Sequence, residues 1–419
     1  MTPHDLTLLL YNLALLPVIF FSILFIMLTV LSLYADRRPA RKEKRTYFPR
    51  VTVQVPSFND PVAIRCLKAC LKLRYPKEKL QIMVVDDSTN KETATVLKAF
   101  SRKHQLLYIH RDNREGYKPG ALKEAMPLVT GEIIVIFDAD FIPKKEFLER
   151  IVQPFKDPKV AIVQGRQEFL NAKKNLVTRF ASYLLIIHHQ ILMPINHSIN
   201  TVFFCGTAGA IRKSAIEAVG GWNTHSITED SDLSVKILSK GYRTVYLPVE
   251  TPSEVPETIE DFVKQQMRWC FGGLRVFFDH KREILYRKGL TLKQRFMISF
   301  MTLGNLVAPV VILMTLAGFA GWFIGNDPRL FGLGDILTFI LKFLYTAGFL
   351  VMGAVALWKR RTIREFPQLL LAAFSISLIL VFANSVAVYK ALFRKEQPLF
   401  GSAKNSWVCT PKTGNERFR

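Results

Sequence analysis

Acidic residues are scarce in this chain, and cysteines scarcer still. Against 57 lysines and arginines stand only 34 aspartates and glutamates, a formal net charge of +23. Such an excess can serve nucleic acid, but no recognised nucleic-acid-binding motif accompanies it, so nucleic acid is not expected as a partner. The basic residues instead crowd beside apolar segments, as with Lys281, Arg282, Arg287 and Lys288, or Lys359, Arg360 and Arg361. That pattern fits membrane lipids with anionic headgroups, and nucleotide phosphates as a second target. The five cysteines (Cys66, Cys70, Cys205, Cys270, Cys409) have no CxxC spacing. With Cys66 and Cys70 four apart on an expected helix, they read as packing residues in a reducing compartment rather than a zinc site. Internal repeats and low-complexity tracts are absent too, and 419 residues allow one large globular domain plus a membrane region.

Charge is missing altogether from residues 6–34. A run of about 20 apolar residues crosses a bilayer core, so 1–35 is read as a transmembrane helix. The run is too long for the apolar core of a cleaved signal peptide, and no basic residue precedes it. Arg37, Arg38, Arg41, Lys42, Lys44 and Arg45 follow it in a basic linker, 36–50. Positive flanks favour the cytoplasmic side. The expectation is an integral plasma (inner) membrane protein with the domain after the linker in the cytoplasm.

Residues 51–258 read as that domain. Apolar, β-branched runs recur at 51–55, 82–85, 107–109, 133–137 and 161–163, with helical patterns such as 62–73 and 92–103 between them. This alternation predicts an α/β fold on a mainly parallel sheet flanked by helices. Ligands of such sheets sit beyond the carboxyl ends of the strands. The first run leads into Pro56-Ser57-Phe58-Asn59-Asp60, the second ends in Asp86-Asp87-Ser88, and the fourth ends in Asp138-Ala139-Asp140. Asn113-Arg114-Glu115-Gly116-Tyr117-Lys118-Pro119-Gly120 opens a helix with a glycine-rich, basic turn. Carboxylates crowded at a strand end need compensation, and Mg²⁺ typically takes one or two of them plus substrate phosphates. Asp-x-Asp is common in surface loops, but here it follows a strongly apolar strand and a second acid pair follows another. The pattern predicts a metal–diphosphate site.

Three later segments add acceptor-side chemistry. Phe203-Phe204-Cys205-Gly206-Thr207-Ala208-Gly209 offers small residues where a backbone can approach a sugar closely. In Thr228-Glu229-Asp230 a carboxylate can act as general base on an acceptor hydroxyl, or as a helix-dipole partner. Gln265-Gln266-Met267-Arg268-Trp269 joins an arginine suited to a diphosphate leaving group to a ring that can stack on a sugar face. An interfacial Arg-Trp anchor is the alternative. Helical patterns at 177–191 and 259–278 suit either interfacial or core helices, and 259–290 is taken as interfacial.

Asp86-Asp87, Asp138-Ala139-Asp140, Thr228-Glu229-Asp230 and Gln265-Gln266-x-Arg268-Trp269, in that order, resemble the motifs of the processive, membrane-bound family 2 glycosyltransferases. These include cellulose and hyaluronan synthases and the cellulose-synthase-like mannan and glucomannan synthases. The likeness covers about residues 48–280. It implies a GT-A fold, a Mg²⁺ or Mn²⁺ cofactor, a nucleotide-sugar donor such as UDP-glucose or GDP-mannose, and inversion without a covalent intermediate. By the same resemblance Pro56, Asp86 and Lys118 bind the nucleotide, and Asp138 and Asp140 hold nucleotide and metal. Asp230 is the implied base; Gln265, Arg268 and Trp269 complete the catalytic set, with Arg268 on the leaving diphosphate. Phe204, Cys205, Gly206, Glu229 and Trp269 line the implied acceptor path. Asp60 departs from the pattern, standing where the family usually has a glutamate. Trp407-Val408-Cys409-Thr410-Pro411-Lys412 is similar to the gating loop of cellulose synthases, with Trp and Cys in place of Phe and Val. It implies that Thr410 and Lys412, in a cytoplasmic tail 397–419, cover the nucleotide.

Apolar stretches at 296–324, 335–358 and 366–393 make 291–396 a region of membrane helices. Three crossings would leave the tail outside, yet basic residues flank the last stretch on both sides, and a gating loop must be cytoplasmic. The expectation is therefore that 366–393 is re-entrant or interfacial, its Ser375, Ser377, Asn384 and Ser385 facing protein or a cavity. Two functions share this chemistry: processive extension of a β-linked polysaccharide, and single sugar addition to a sphingolipid or sterol glycolipid acceptor. The full Gln-Gln-x-Arg-Trp motif and the tail favour the first. The small membrane region favours the second, or a partner subunit or oligomer.

Overall fold

The computed structural model describes residues 2–35, 45–286, 288–324 and 334–393. The expected gating tail lies outside them, as does most of the basic linker. Seven strands form one sheet: β1 (Val51–Ser57), β2 (Leu80–Asp86), β3 (Leu107–His110), β4 (Ile133–Ile136), β5 (Val160–Phe169), β6 (Gly209–Arg212) and β7 (Arg243–Ser253). Their order is β3-β2-β1-β4-β6-β5-β7. Parallel pairing joins β1 to β2 and β4, β2 to β3, and β5 to β7; β6 alone runs antiparallel to its neighbours β4 and β5.

Period-two alternation builds the two layers. Val53, Val55, Ile82, Val84, Ile133, Val135 and Phe137 share one core with helix Ala63–Cys70. Met83, Val85, Ile134 and Ile136 share the other with helix Tyr117–Ala125. Strands covered on both faces read as apolar runs, which is why β2 and β4 stand out in the sequence, whereas β1 alternates valine with the buried Thr52 and Gln54. β6 and β7 lie beyond the runs read there. β6 is only Gly-Ala-Ile-Arg, and β7 carries Pro248, Glu250 and Pro252 with every other residue less buried.

The chain steps from β1 outward to β2 and β3, then returns to lay β4 on the other side of β1. The strand order thus reverses between β1 and β4. The crevice beyond the carboxyl ends of those two strands is where such sheets bind ligands.

Among the described residues four helices are long and apolar enough to cross a membrane: Asp5–Ala35, Leu176–Ser198, Leu292–Phe323 and Ile363–Phe393. The second comprises the α-helix Leu176–Ile187, a π-helical stretch His188–Leu192 and the short helix Met193–Ser198. Phe180, Tyr183 and Ile186 pack in one cluster with Phe262 of helix Ile259–Asp279 and with Ala372 and Ile376 of the last helix.

In the membrane region the stretch 335–358 is divided into two helices, Asp335–Thr346 and Gly348–Lys359, which meet at Ala347, and the N–H of Gly348 donates to Ser22 Oγ at 2.9 Å. The re-entrant alternative for 366–393 is not borne out: the stretch is one unbroken helix of 28 residues, Phe366–Phe393. At 1.5 Å per residue it is about 42 Å long, more than the roughly 30 Å of a hydrocarbon core. The hydroxyls of Ser375 and Ser385 donate one turn back, to the carbonyls of Leu371 and Val381, so their polarity is absorbed within the helix. Lys359 and Arg360 are likewise engaged by protein. Lys359 Nζ donates to Ser32 O at 3.0 Å, Ser32 Oγ at 2.9 Å and Gln190 O at 3.1 Å, and Arg360 forks onto Glu168 at the end of β5.

Candidate active site

The crevice at the β1/β4 reversal is a cleft of about 230 Å³. Strand ends supply one wall: Pro56 at the end of β1, and Asp138 and Asp140 beyond β4. Lys118, in the first turn of helix Tyr117–Ala125, donates from Nζ to Asp138 Oδ1 at 2.5 Å and to the carbonyl of Gly206 at 3.0 Å. The N–H of Asp138 donates to Thr207 Oγ1 at 2.9 Å. Asp140 is buried, and its Oδ2 accepts the N–H of Glu254 at 3.0 Å.

Two helices supply the opposite wall. Glu229 and Asp230 open helix Glu229–Ser239. Gln265, Arg268 and Trp269 all line the cleft from helix Ile259–Asp279, as the i, i+3, i+4 spacing of one helix face requires. Gly272, one turn on, lets that helix close over the Thr-Glu-Asp turn: a methyl there would lie 2.3 Å from Thr228 Cγ2. Between the walls sits Gly206, at φ 77°. A methyl built on it would lie 3.1 Å from Asp230 Oδ2 and 3.6 Å from Lys118 Nζ.

Burial sets the electrostatics. Glu229 is pushed up to about 7, first by burial and then by Asp230, with Lys118 and Arg268 pulling the other way. Asp230 is raised too, by burial and by Asp138, against the Ser231 N–H, Lys118 and Arg268. Burial would lower Lys118, but Asp138, Glu229 and Asp230 hold it above its ordinary value. A base must be deprotonated to act, so the rate of any transfer that uses Asp230 rises with pH through the titration of this pair. Glu229→Gln removes the member of the pair that titrates near 7, so the kcat–pH profile is expected to lose any acid limb near 7 while keeping the one that belongs to Asp230. An acid limb near 7 that stays in place would assign that titration to another group.

Asp138 and Asp140 stand one residue apart on a turn facing the cleft. Among the described residues no group of three or more His, Cys, Asp or Glu side chains is arranged to hold a metal. Two carboxylates without a third protein ligand fit Mg²⁺ or Mn²⁺ completed by diphosphate and water.

Two residues expected here are placed elsewhere. Asp86 is fully buried in β2: Oδ1 accepts the Ser88 N–H at 3.0 Å, and Oδ2 lies 2.8 Å from the Tyr108 hydroxyl and 3.1 Å from His110 Nδ1. Adjacent strand residues point to opposite faces, and its neighbour Asp87 lines the cleft instead. Phe204 is buried in the core beside Ile211 and Trp222, leaving Cys205 and Gly206 as the wall. Thr410 and Lys412 lie outside the described residues.

Arg111 belongs to none of the motifs, yet it holds one of them in place. Its Nε and Nη2 fork onto Asp87 at 2.7 and 2.6 Å, while Nη1 and Nη2 each donate at 3.0 Å to the carbonyls of Glu115 and Tyr117. It therefore fixes the turn that presents Lys118. Arg111 immediately follows β3, so the rule of inspecting residues beyond each strand could have found it. Arg114, 3.3 Å from the Phe58 ring centroid, also lines the cleft. So do Gln167, Phe169, Ser253 and Glu254, at the ends of β5 and β7, where no strand end was legible.

A family model described as Glycosyltransferase like family 2 matches residues 49–272, more than half of the chain and all four motifs. The chain belongs to this family. Probable glucomannan 4-beta-mannosyltransferase 4 of Oryza sativa subsp. japonica is 35% identical over 63% of this chain and 51% of its own length. Glucomannan 4-beta-mannosyltransferase 9 of Arabidopsis thaliana is 35% identical over 63% of this chain and 52% of its own. The family 2 chain thus spans about half the length of the curated relatives it matches. Among solved structures, a mannosyltransferase from Pyrobaculum calidifontis in complex with GDP-mannose and Mn²⁺ is similar at a TM-score of 0.66 and 22% identity, over 92% of this chain and 99% of that one. That likeness is one of fold, the GT-A-type sheet flanked by helices.

Proposed function

We propose that this family 2 glycosyltransferase moves a hexose from a nucleoside-diphosphate sugar onto an acceptor hydroxyl, with GDP-mannose as the favoured donor. The observation that carries this reading is Gly206, whose carbonyl holds Lys118 beside Asp138 while its Cα faces Asp230. Charge-binding groups for a diphosphate and a buried base thereby meet across one glycine. The acceptor hydroxyl gives its proton to Asp230 as its oxygen bonds to the anomeric carbon. The bond from that carbon to the diphosphate breaks, its electron pair leaves with the diphosphate, and the configuration inverts. Lys118 and Arg268 meet the charge that develops there. Asp138 and Asp140 would hold a Mg²⁺ or Mn²⁺ ion, which would supply further positive charge to the diphosphate. Trp269, 39% exposed in the cleft, offers a stacking face for the acceptor sugar.

The donor preference draws on the mannosyltransferase relatives and on the GDP-mannose complex of the structural neighbour. The same relatives support a β-linked polysaccharide as acceptor. One observation favours a glycolipid instead. Phe169, Leu185, Ile227 and Val255 give the cleft an apolar side, and the helix bearing Leu185 packs directly on Phe366–Phe393. The basic cluster 37–45 after the first helix supports a cytoplasmic catalytic domain in the plasma membrane.

The full chain in lipid nanodiscs, given labelled GDP-mannose or UDP-glucose with Mn²⁺ or Mg²⁺, tests the reading. Label from GDP-mannose should appear in product only when the metal is present. Long water-soluble chains would establish the polysaccharide acceptor; a single sugar in the lipid extract would establish the glycolipid. Transfer from neither donor sinks the hexosyl assignment.

A further inference from the structure

We propose that Gln164, a side chain with no place in the cleft, is the positioning residue that sets the Gly206 carbonyl and, through it, the Lys118–Asp138 pair. The inference rests on the transferase reading of the site. Gln164 lies in β5, opposite Gly209 of β6, and is completely buried. Its Oε1 accepts the N–H of Cys205 at 2.9 Å, and its Nε2 donates to the carbonyl of Thr207 at 3.0 Å. Nε2 also lies 3.2 Å from the Gly165 carbonyl and 3.3 Å from that of Ala208. One carboxamide therefore grips the chain on both sides of Gly206. The partners fix its orientation, because a backbone N–H must meet the oxygen and a carbonyl the nitrogen.

The loop needs such a grip. Gly206 and Ala208 both adopt left-handed backbone, at φ 77° and 49°, and the second is costly for a residue with a Cβ. Everything the loop presents then follows from that geometry: the Gly206 carbonyl on Lys118, Thr207 Oγ1 under the Asp138 N–H, and the Gly206 face toward Asp230. Gly209 makes room, since a methyl there would lie 2.8 Å from Gln164 Oε1. Without the carboxamide the Cys205 N–H and the Thr207 carbonyl, on either side of Gly206, lose their partner, and the carbonyl that anchors Lys118 loses its constraint.

Gln164→Leu and Gln164→Glu separate positioning from bulk. Leu fills the space without either hydrogen bond and is expected to lower kcat/KM for GDP-mannose by at least about tenfold, with the wild-type unfolding temperature as the check on folding. A protonated carboxyl reproduces both bonds, with its C=O toward Cys205 and its O–H toward Thr207. Ionised, it keeps the acceptor, loses the donor and faces three carbonyls. The ratio of Gln164→Glu to wild-type activity is therefore expected to be highest at low pH and to fall as pH rises. Taking the ratio divides out the titrations of Glu229 and Asp230 to the extent that both proteins share them, leaving what position 164 adds. A ratio flat across pH, or a Leu variant within about threefold of wild type, overturns the proposal. A wild-type protein that transfers no sugar overturns the transferase reading instead.

Discussion

Asp230→Asn is expected to lower kcat by about 10²–10⁴-fold, the range a positioned general base supplies, while GDP-mannose binding survives. The amide matches the carboxylate in shape but cannot take the acceptor's proton. Two observations make this substitution the sharpest available. Asp230 borders Gly206 at the seam between the two walls, and its pKa is raised by burial, which strengthens an ionised carboxylate as a base. Turnover and equilibrium binding of labelled GDP-mannose, measured on the same preparation, separate the roles. Loss of donor binding along with turnover would reassign Asp230 to the donor or its metal.

Arg111→Leu is expected to destabilise the fold by about 3–5 kcal/mol, as breaking a buried ion pair from one side does. The side chains of Arg111 and Asp87 are 2% and 6% exposed, so the aspartate left behind could not be rehydrated in place. The carbonyls of Glu115 and Tyr117 lose their donor in the same step, and the turn carrying Lys118 loosens. A raised KM for the donor should accompany the loss of stability. Adding Asp87→Asn removes the stranded charge and should recover part of the unfolding temperature, a non-additivity expected of direct partners. An unfolding temperature equal to that of the wild type would show that the pair contributes nothing.

The central strands were legible because β2 and β4 carry local apolar runs and β1 a local alternation of valines. β6 and β7 were not, because a four-residue strand and a proline-bearing, half-buried one carry no such run. Among site residues, Pro56, Lys118, Asp138, Asp140, Cys205, Gly206, Glu229, Asp230, Gln265, Arg268 and Trp269 all line one cleft. Each was found from its position at a strand or helix end, or from its motif. Asp86 and Phe204 could not be told from their neighbours. Which of two adjacent side chains points into a cleft depends on the phase of the pleat at that strand end, and composition does not encode it.

The sequence by itself determined the alternation of strand and helix, the apolar helices, and the order of the acidic motifs along the chain. These are short-range properties, written in periodicity and charge within a few residues. Only the tertiary structure decided what meets what. The reversal of strand order between β1 and β4 opens the cleft, and Gly272 lets the Arg268–Trp269 helix close over it. The break at Ala347, where the Gly348 N–H meets Ser22 of the first helix, is another such meeting. Gln164 governs a loop more than forty residues further along the chain, a contact that exists because β5 and β6 are neighbours in the sheet. Long-range contacts of this kind follow from how the layers close on one another, which no local pattern records.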